Sequence, residues 1–444
     1  MSTQTVKTWW GTFSKPELKK FILLAAIFAF TIGVYWMLRP IKDSVFINVV
    51  GKDWIPFAKW LSVIIVVPLV MIYSKLVDMF PRHKVFYALS AIYGISAFAF
   101  ALAMMHPTIG LANTVAAPSR LMGWCWYVFV ESFGSIMVAL FWAFAADTTT
   151  PESAKSGYSI IAMGAQLGGI VGPLIVSLGA KKLGTSFLAG IAGLGIFAVA
   201  GMIWYFMRVT PKEQLSGYHS KDETTTQKKE AKAGFMEGLK LLFSQPYLLG
   251  IFVVVSFFEI IATVFDFYFK VFAAEAHGAV DDLTKYLGDY GVMTNTVAFL
   301  CLVLGVGNIG RRIGLTLSLA IFPLLIAVAV LALWVSPTLN VALLIMIGSK
   351  GLNYAFNQPA KEQLYIPTTK ETKYKAKAWI EMFGSRSSKA GGSAINVFKH
   401  FMAADLFLAV SSLVSLGLIG VWVFVALYLG KTHRKAVEQQ KVVC

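Results

Sequence analysis

Long apolar stretches recur along the chain and are separated by short polar segments. A helix that crosses a membrane needs about 20 mostly apolar residues, because the hydrocarbon core is about 30 Å thick. Twelve stretches reach or approach this length, and each of them predicts a transmembrane helix. The predicted helices are 21–40, 55–76, 85–105, 121–146, 157–179, 184–207, 246–272, 290–309, 313–335, 338–358, 374–400 and 404–429.

Composition supports the same class and excludes most soluble proteins. Of the 444 residues, 57 % are hydrophobic and 14 % are charged, whereas soluble domains are about 45–50 % apolar and about 25 % charged. Three cysteines are too few for a disulfide scaffold, and the six histidines lack metal-ligand spacing. We therefore expect an all-α polytopic membrane protein that lies in the lipid bilayer as a monomer and needs neither a metal nor a cofactor.

The net charge of +16 is distributed unevenly between alternate loops. Basic residues are concentrated in loops such as 75–84 and 361–377, whereas the loop 107–119 carries no charge. Lys181 and Lys182 are the exception, because they lie in a loop on the base-poor side. Since cytoplasmic loops are rich in Lys and Arg, we expect both termini in the cytoplasm. Topology accounts for the charge, so we expect no nucleic-acid partner.

A polar segment rich in Lys, Glu, Thr and Gln divides the predicted helices into two sets of six. A short repeat crosses this division: A-F and T-T-P-E-S within 143–153 recur as A-F and T-T-K-E-T within 355–372. Two related halves that rock about a central site are typical of transporters. The predicted domains are an N-terminal six-helix bundle at 1–207, a cytoplasmic linker at 208–245, a C-terminal six-helix bundle at 246–430 and a cytoplasmic tail at 431–444.

Several ionisable residues lie inside or at the ends of the predicted helices. An ionisable group inside the hydrocarbon costs at least about 2.5–3.5 kcal/mol. Such residues mark a cavity, an ion pathway or an ion pair. The cations come from both halves, and ammonium and guanidinium groups bind phosphate oxygens strongly, so we expect a phosphorylated substrate. The candidate substrate-binding residues are Lys42, Lys361, Glu131, Glu259, Arg39, Arg386 and Lys389.

These charges also have a simpler interpretation. Four of the cations can extend to lipid headgroups or pair with the carboxylates of Asp43 and Glu381 instead of binding substrate: Arg39, Lys42, Arg386 and Lys389. Asp266 and Lys270 are spaced i and i+4, so they can pair on one helix face.

Proline and glycine positions carry further expectations. Pro40 is interpreted as the point where a broken first helix restarts, with N–H groups available to an anion. Gly164, Gly168, Gly169 and Gly172 follow the small-residue spacing of close helix packing. The chain has no G-x-x-x-x-G-K-[ST] phosphate loop and no catalytic constellation, so we expect that it is not an enzyme and that a nucleotide would be carried without hydrolysis.

Three motifs are more specific than the composition. They are L-R-P-I-K-D at 38–43, E-S-F-G-S at 131–135 and K-E-Q-L-Y-I-P at 361–367. Together they resemble the nucleotide transporter family of ATP/ADP translocases found in obligate intracellular bacteria and plastids. The resemblance implies a major-facilitator-like fold and movement of a nucleotide by alternating access. It implies functional charges at Lys42, Glu131 and Lys361 by motif, and at Glu259 by position only.

The expected function is ATP/ADP exchange across a bacterial inner membrane. Lys42 and Lys361, with Arg386 or Lys389, are expected to hold the phosphates, and the two glutamates to pair with these cations when the site is empty. A proton-coupled nucleotide importer is an alternative, and so is a facilitator-type transporter of another organic anion.

Overall fold

The computed structural model describes residues 5–8, 11–211, 215, 240, 242–304, 313–353, 357–369, 377, 379–380, 384–439 and 442–443. Within these residues, nine helices are long and apolar enough to cross a membrane. The chain is therefore an all-α polytopic membrane protein, as predicted, and nine described spans are compatible with twelve predicted helices.

A short antiparallel hairpin precedes the helices, with strands β1 (Thr5–Thr8) and β2 (Gly11–Ser14). The helices are α1 (Lys15–Val49), α2 (Ile55–Met79), α3 (Arg82–Met105), α4 (Leu121–Asp147), α5 (Pro151–Leu183), α6 (Thr185–Val209), α7 (Pro246–Ala276), α8 (Val280–Val303), α9 (Leu315–Val335), α10 (Leu339–Leu352), α11 (Gln358–Leu364), α12 (Ser385–Val397) and α13 (Ala404–Glu438).

The chain divides into two compact units. The first unit contains Met1–Lys221 and His277–Asn295, and the second contains Asp222–Ala276 and Thr296–Cys444. The first part of α8 therefore belongs to the first unit. Most of the predicted linker lies outside the described residues, and the division into two six-helix bundles stays a prediction.

Helix α1 is longer than predicted and is not broken at Pro40. It runs without interruption from Lys15 to Val49 with Pro40 inside it. A proline within a membrane helix removes one backbone hydrogen bond, and neighbouring helices can compensate for that loss. The expected helix restart at Pro40 is wrong, so no helix N-terminus is available there to bind an anion.

Small residues allow α1 and α5 to approach closely. A Cβ atom added at Gly164 would lie 2.5 Å from the carbonyl oxygen of Ala25, and one at Gly168 or Gly172 would overlap the α1 backbone. The three glycines follow the spacing that places them on one face of α5. Close helix packing, predicted for these glycines, is therefore present.

Helix α8 begins at Val280, ten residues earlier than predicted. Its first turn holds Asp281, which accepts hydrogen bonds from the backbone N–H (2.8 Å) and hydroxyl (2.5 Å) of Thr185. Helix α6 begins at Thr185, and the preceding Gly184 has no side chain to cap it. Asp281 thus supplies the N-terminal cap of α6 from a distant part of the sequence.

The same contact explains the basic loop that departs from the charge pattern. Lys181 forms an ion pair of 2.5 Å with Asp282 in the first turn of α8. The hydrogen bond from Lys181 lowers the pKa of the Asp282 carboxyl. The positive charge is therefore partly neutralised by a residue about 100 positions away in the sequence.

The second unit is centred on an aromatic cluster between α7, α9 and α13. Trp422 is fully buried, with its ring 5.5 Å from that of Phe322 and 6.4 Å from that of Phe258. Helix α10 covers 339–352 of the predicted helix 338–358, and α12 covers 385–397 of the predicted helix 374–400. The start of that predicted helix lies mostly outside the described residues.

Candidate functional site

A buried ammonium group lies between two carboxylates in the first unit. Lys42 on α1 has a side chain that is only 4 % exposed, and its Nζ atom donates a hydrogen bond to Glu131 Oε1 on α4. The same nitrogen is 3.5 Å from Asp43 Oδ1. The ring of Tyr127 adds a third stabilising contact, because its centre lies 4.3 Å from the Lys42 Nζ atom. A charged amine is tolerated at this depth because negative groups surround it.

Helix geometry explains why α4 presents both an aromatic ring and a carboxylate to Lys42. Tyr127 and Glu131 are spaced i and i+4, so they share one face of α4. Trp126 is fully buried and donates a long hydrogen bond, 3.4 Å, to the carbonyl of Ile41 on α1. The ring of Phe46 on α1 packs 5.1 Å from that of Tyr127. These contacts hold the two helices in the register that pairs Lys42 with Glu131.

The two carboxylates around Lys42 differ in exposure. Asp43 is buried, whereas the side chain of Glu131 is 31 % exposed. Glu131 is therefore better placed than the buried Asp43 to leave Lys42 and enter solvent.

Arg39 is a second cation on α1, one turn before Lys42. Its guanidinium carbon lies 4.8 Å from the centre of the Trp36 ring, and both side chains are half-buried. A guanidinium over an aromatic ring is stabilised by a cation–π contact. Arg39 and Lys42 thus place two positive groups within one turn of α1.

The second unit contains an ion pair between Glu259 on α7 and Lys389 on α12. Lys389 Nζ is 3.7 Å from Glu259 Oε2. The lysine is exposed and the glutamate is half-buried. The helices approach closely here because Gly392 has no side chain. A Cβ atom at this position would lie 2.6 Å from the carbonyl oxygen of Ile260. Asn396 strengthens this contact by donating a hydrogen bond of 3.2 Å to the carbonyl of Thr263.

Asp266 and Lys270 pair within α7, as their spacing predicts. Lys270 Nζ is 2.9 Å from Asp266 Oδ2, and the lysine side chain is buried. Arg386 lies half-buried on α12, one turn before Lys389.

Lys361 is half-buried on the short helix α11. Its neighbour Glu362 directs both carboxylate oxygens to Lys377, at 2.7 and 2.8 Å. The second residue of the motif K-E-Q-L-Y-I-P is thus paired with Lys377, which lies outside the motif.

The structure brings some of the predicted site residues together. Arg39, Lys42 and Glu131 lie together in the first unit, and Glu259 and Lys389 lie together in the second. Convergence of the cations from both units on one substrate stays a prediction. Among the described residues, no group of three or more His, Cys, Asp and Glu side chains could hold a metal ion.

Two aromatic residues of the site were not predicted from the sequence. Trp36 precedes Arg39 by three residues, and Tyr127 precedes Glu131 by four. Both spacings place the aromatic ring on the face of the charged residue, so helical periodicity could have identified them.

Comparison with known proteins supports the resemblance in the three motifs. A family model described as TLC ATP/ADP transporter matches residues 2–340 and 330–433. ADP,ATP carrier protein 1 of Chlamydia muridarum is 27 % identical, over 94 % of this chain and 88 % of the relative. ADP,ATP carrier protein 1, chloroplastic, of Arabidopsis thaliana is 27 % identical, over 86 % of this chain and 68 % of the relative.

Solved structures of other transporters share the fold. A bacterial homologue of the iron transporter ferroportin in its inward-facing state matches with a TM-score of 0.67 at 13 % identity, over 94 % of this chain and 100 % of that chain. A D-xylose-proton symporter matches with a TM-score of 0.63 at 13 % identity, over 93 % and 97 %. These likenesses confirm the predicted major-facilitator-like fold. Because the family model spans nearly the whole sequence, the chain belongs to the TLC ATP/ADP transporter family.

Proposed function

We propose that this protein exchanges ATP for ADP across a bacterial inner membrane by alternating access, with both termini in the cytoplasm. Family membership and the names of the relatives support the substrate. The observation that carries the proposal is the pair between Lys42 and Glu131. A buried ammonium with a partly exposed counter-ion is suited to exchange that counter-ion for a phosphate group.

Glu131 and the substrate compete for Lys42 in this mechanism. When no nucleotide is bound, Glu131 neutralises the ammonium. A phosphate oxygen forms a charge-assisted bond of the same kind, so an arriving nucleotide releases Glu131 to solvent. Asp43 stays beside Lys42 in both states and limits the net charge there.

The same competition between a glutamate and the substrate takes place in the second unit in this mechanism. Glu259 neutralises Lys389 in the absence of substrate, at a separation of 3.7 Å. Lys361 and Arg386 add positive charge for the phosphates, and Arg39 contributes a guanidinium ordered by Trp36.

Exchange follows from the cost of leaving these cations unpaired. An ammonium without a partner in a low-dielectric site costs several kcal/mol. In this mechanism reorientation of the empty site separates the pairs of Lys42 with Glu131 and of Lys389 with Glu259 and is slow, whereas a bound nucleotide keeps the cations neutralised. A second nucleotide on the other side then completes the cycle.

The proposal is tested by counterflow in proteoliposomes. Uptake of labelled ATP is expected to require internal ADP or ATP. Lys42→Ala and Lys361→Ala are each expected to reduce uptake about 10- to 100-fold, since a hydrogen bond to a charged group is worth about 1.5–3 kcal/mol.

Lys84→Ala is the matched control, because Lys84 is an exposed lysine at the start of α3. Its uptake is expected to stay at the wild-type rate. Wild-type uptake in Lys42→Ala or Lys361→Ala would remove that lysine from the substrate site.

A proton-coupled importer is a second candidate, supported by the pair of Asp266 with the buried Lys270. Protonation of Asp266 would release Lys270 and change the charge on α7. A protonophore is expected to leave exchange unchanged with internal ADP present. Inhibition by the protonophore, with uptake into liposomes that lack internal nucleotide, would favour the importer.

A transporter of a different organic anion is distinguished by competition. Excess ATP, GTP, UTP or NAD is added to cells that take up labelled ATP or another labelled anion. Competition by ATP is the expected result, and failure of all four compounds to compete would support the other anion.

A further inference from the structure

Three distant parts of the chain donate hydrogen bonds to the turn that follows Lys361. The hydroxyl of Tyr247 donates to the carbonyl of Leu364 (2.9 Å). His433 Nε2 donates to the carbonyl of Gln363 (3.2 Å). The backbone N–H of Val443 donates to a third carbonyl, that of residue 367 (2.9 Å). We call Tyr247, His433 and Val443 the C-terminal clamp.

Two clamp bonds, from Tyr247 and His433, go to carbonyl groups in the last turn of a short helix, and the Gln363 carbonyl also accepts the backbone N–H of Ile366 (3.0 Å). The last four carbonyls of any helix have no intrahelical donor, and α11 has only seven residues. A helix of this length is unstable alone, because nucleation costs more than a few hydrogen bonds return. Tertiary contacts must therefore determine how α11 lies.

Packing acts on the same residues as the clamp. Leu364 and Tyr365 are buried, and so is the Tyr247 ring that reaches them. Lys377 lies 5.3 Å from the centre of the Tyr365 ring while it pairs with Glu362. The segment is thus held by apolar contacts, one ion pair and three tertiary hydrogen bonds.

Lys361 is coupled to the clamp by helix geometry. Residues spaced i and i+3 lie on neighbouring positions of one helix face, which relates Lys361 to Leu364. A rotation of α11 that breaks the bond to Leu364 therefore moves the Lys361 amine as well. The clamp acceptor Leu364 and the backbone of Lys361 therefore belong to the same short helix.

The donors come from elements with other roles. Tyr247 lies in the first turn of α7, the helix that carries Glu259. His433 lies in the charged end of α13, after the apolar stretch. The clamp thus links the tail to the turn that carries Lys361.

We propose that Tyr247 and His433 are positioning residues that set the direction of the Lys361 amine toward substrate. This inference rests on the proposed function in taking Lys361 as a phosphate-binding residue. The clamp itself is a separate claim about how Lys361 is held.

The test measures the reactivity of Lys361 directly. Purified full-length protein is labelled with an amine-reactive reagent, and mass spectrometry follows the rate at Lys361 with Lys84 as an exposed reference, with and without ATP. Tyr247→Phe and His433→Leu are expected to change the Lys361 rate about 3- to 10-fold, the scale of one lost hydrogen bond. His433→Gln keeps an N–H donor and is expected to restore a rate near wild type.

Transport supplies the second measurement. Both variants are expected to raise the KM for ATP about 3- to 10-fold and to change kcat less than twofold, because a misdirected lysine weakens binding. Tyr428→Phe is the matched control, since Tyr428 is 42 % exposed on α13.

The outcomes separate the clamp from the proposed function. An unchanged Lys361 labelling rate in both Tyr247→Phe and His433→Leu would overturn the clamp. A changed rate together with no protection of Lys361 by ATP would support the clamp and refute the phosphate-binding role. Faster labelling at both Lys84 and Lys361 in Tyr247→Phe would show that this variant has unfolded. The His433 variants then decide: equal Lys361 labelling rates in His433→Leu and His433→Gln would overturn the inference.

Discussion

Lys42 shows how a single buried charge is accommodated in this protein. Its ammonium contacts a hydrogen-bonded carboxylate on another helix, a second carboxylate next to it in sequence and an aromatic face. Removal of one partner of a buried pair costs more than removal of both, because the remaining charge stays desolvated. The stability and the function of this site are therefore linked through Glu131.

A double-mutant cycle tests this link. Lys42→Ala and Glu131→Ala are each expected to lower the thermal unfolding temperature of the purified protein. The double variant is expected to be more stable than the sum of the two losses predicts, by about 0.5–3 kcal/mol. Transport stays reduced, as in Lys42→Ala, in the double variant, which separates stability from substrate binding. Strictly additive losses would contradict a direct interaction.

Between elements, the contact of α1 with α5 depends on residues that lack side chains. Gly168 lies against Ala29, where an added Cβ would overlap the backbone of α1. Overpacking at such a contact forces the helices apart. Such a separation would move α1, the helix that carries Lys42, so the packing of α1 against α5 affects the site.

Gly168→Ala is expected to destabilise the protein by about 1–3 kcal/mol, the usual cost of overpacking. Gly201→Ala on α6 is the matched control, because nothing lies within 4 Å of a Cβ at that position. The control is expected to be neutral or stabilising by up to about 1 kcal/mol, since alanine favours a helix. The comparison is made by thermal unfolding in detergent, and equal effects of the two changes would refute the packing model.

The cap that α8 supplies to α6 is a second contact between elements. Asp281→Ala removes the acceptor for the first N–H group of α6, that of Thr185, and is expected to cost about 1 kcal/mol. Faster hydrogen exchange of the first-turn amides after Thr185, followed by mass spectrometry, measures the loss. Asp282→Ala, which removes only the ion pair of Asp282 with Lys181, is the control and is expected to leave this exchange unchanged. Wild-type protection in Asp281→Ala would show that the cap does not stabilise α6.

At the scale of the whole molecule, exchange of ATP for ADP moves net charge if the two nucleotides differ by one charge. Moving one charge through a membrane potential is worth about 2.3 kcal/mol per 100 mV, roughly a 50-fold change in distribution. We expect a potassium diffusion potential of this size to bias labelled ATP exchange in proteoliposomes toward the more positive side. No response to the potential would indicate electroneutral exchange, in which a proton or another ion moves as well.

Local features of the chain were predictable because they depend on nearby residues. Apolar stretches of spanning length predicted the membrane helices, and nine such helices are present in the described part of the chain. The spacing of Asp266 and Lys270 predicted their pair, and the glycines of α5 predicted close packing. Pro40 misled the prediction because the loss of one hydrogen bond does not end a helix that its neighbours support.

The sequence by itself therefore determined the class of the protein, most of its helices and the identity of its unusual charges. Only the tertiary structure decided which groups meet: Lys42 pairs with a carboxylate 89 residues away, and Asp281 caps a helix 96 residues before it. The physical reason is that hydrophobic length and periodicity are local properties of the chain. Pairing depends on which helices pack together and in which register.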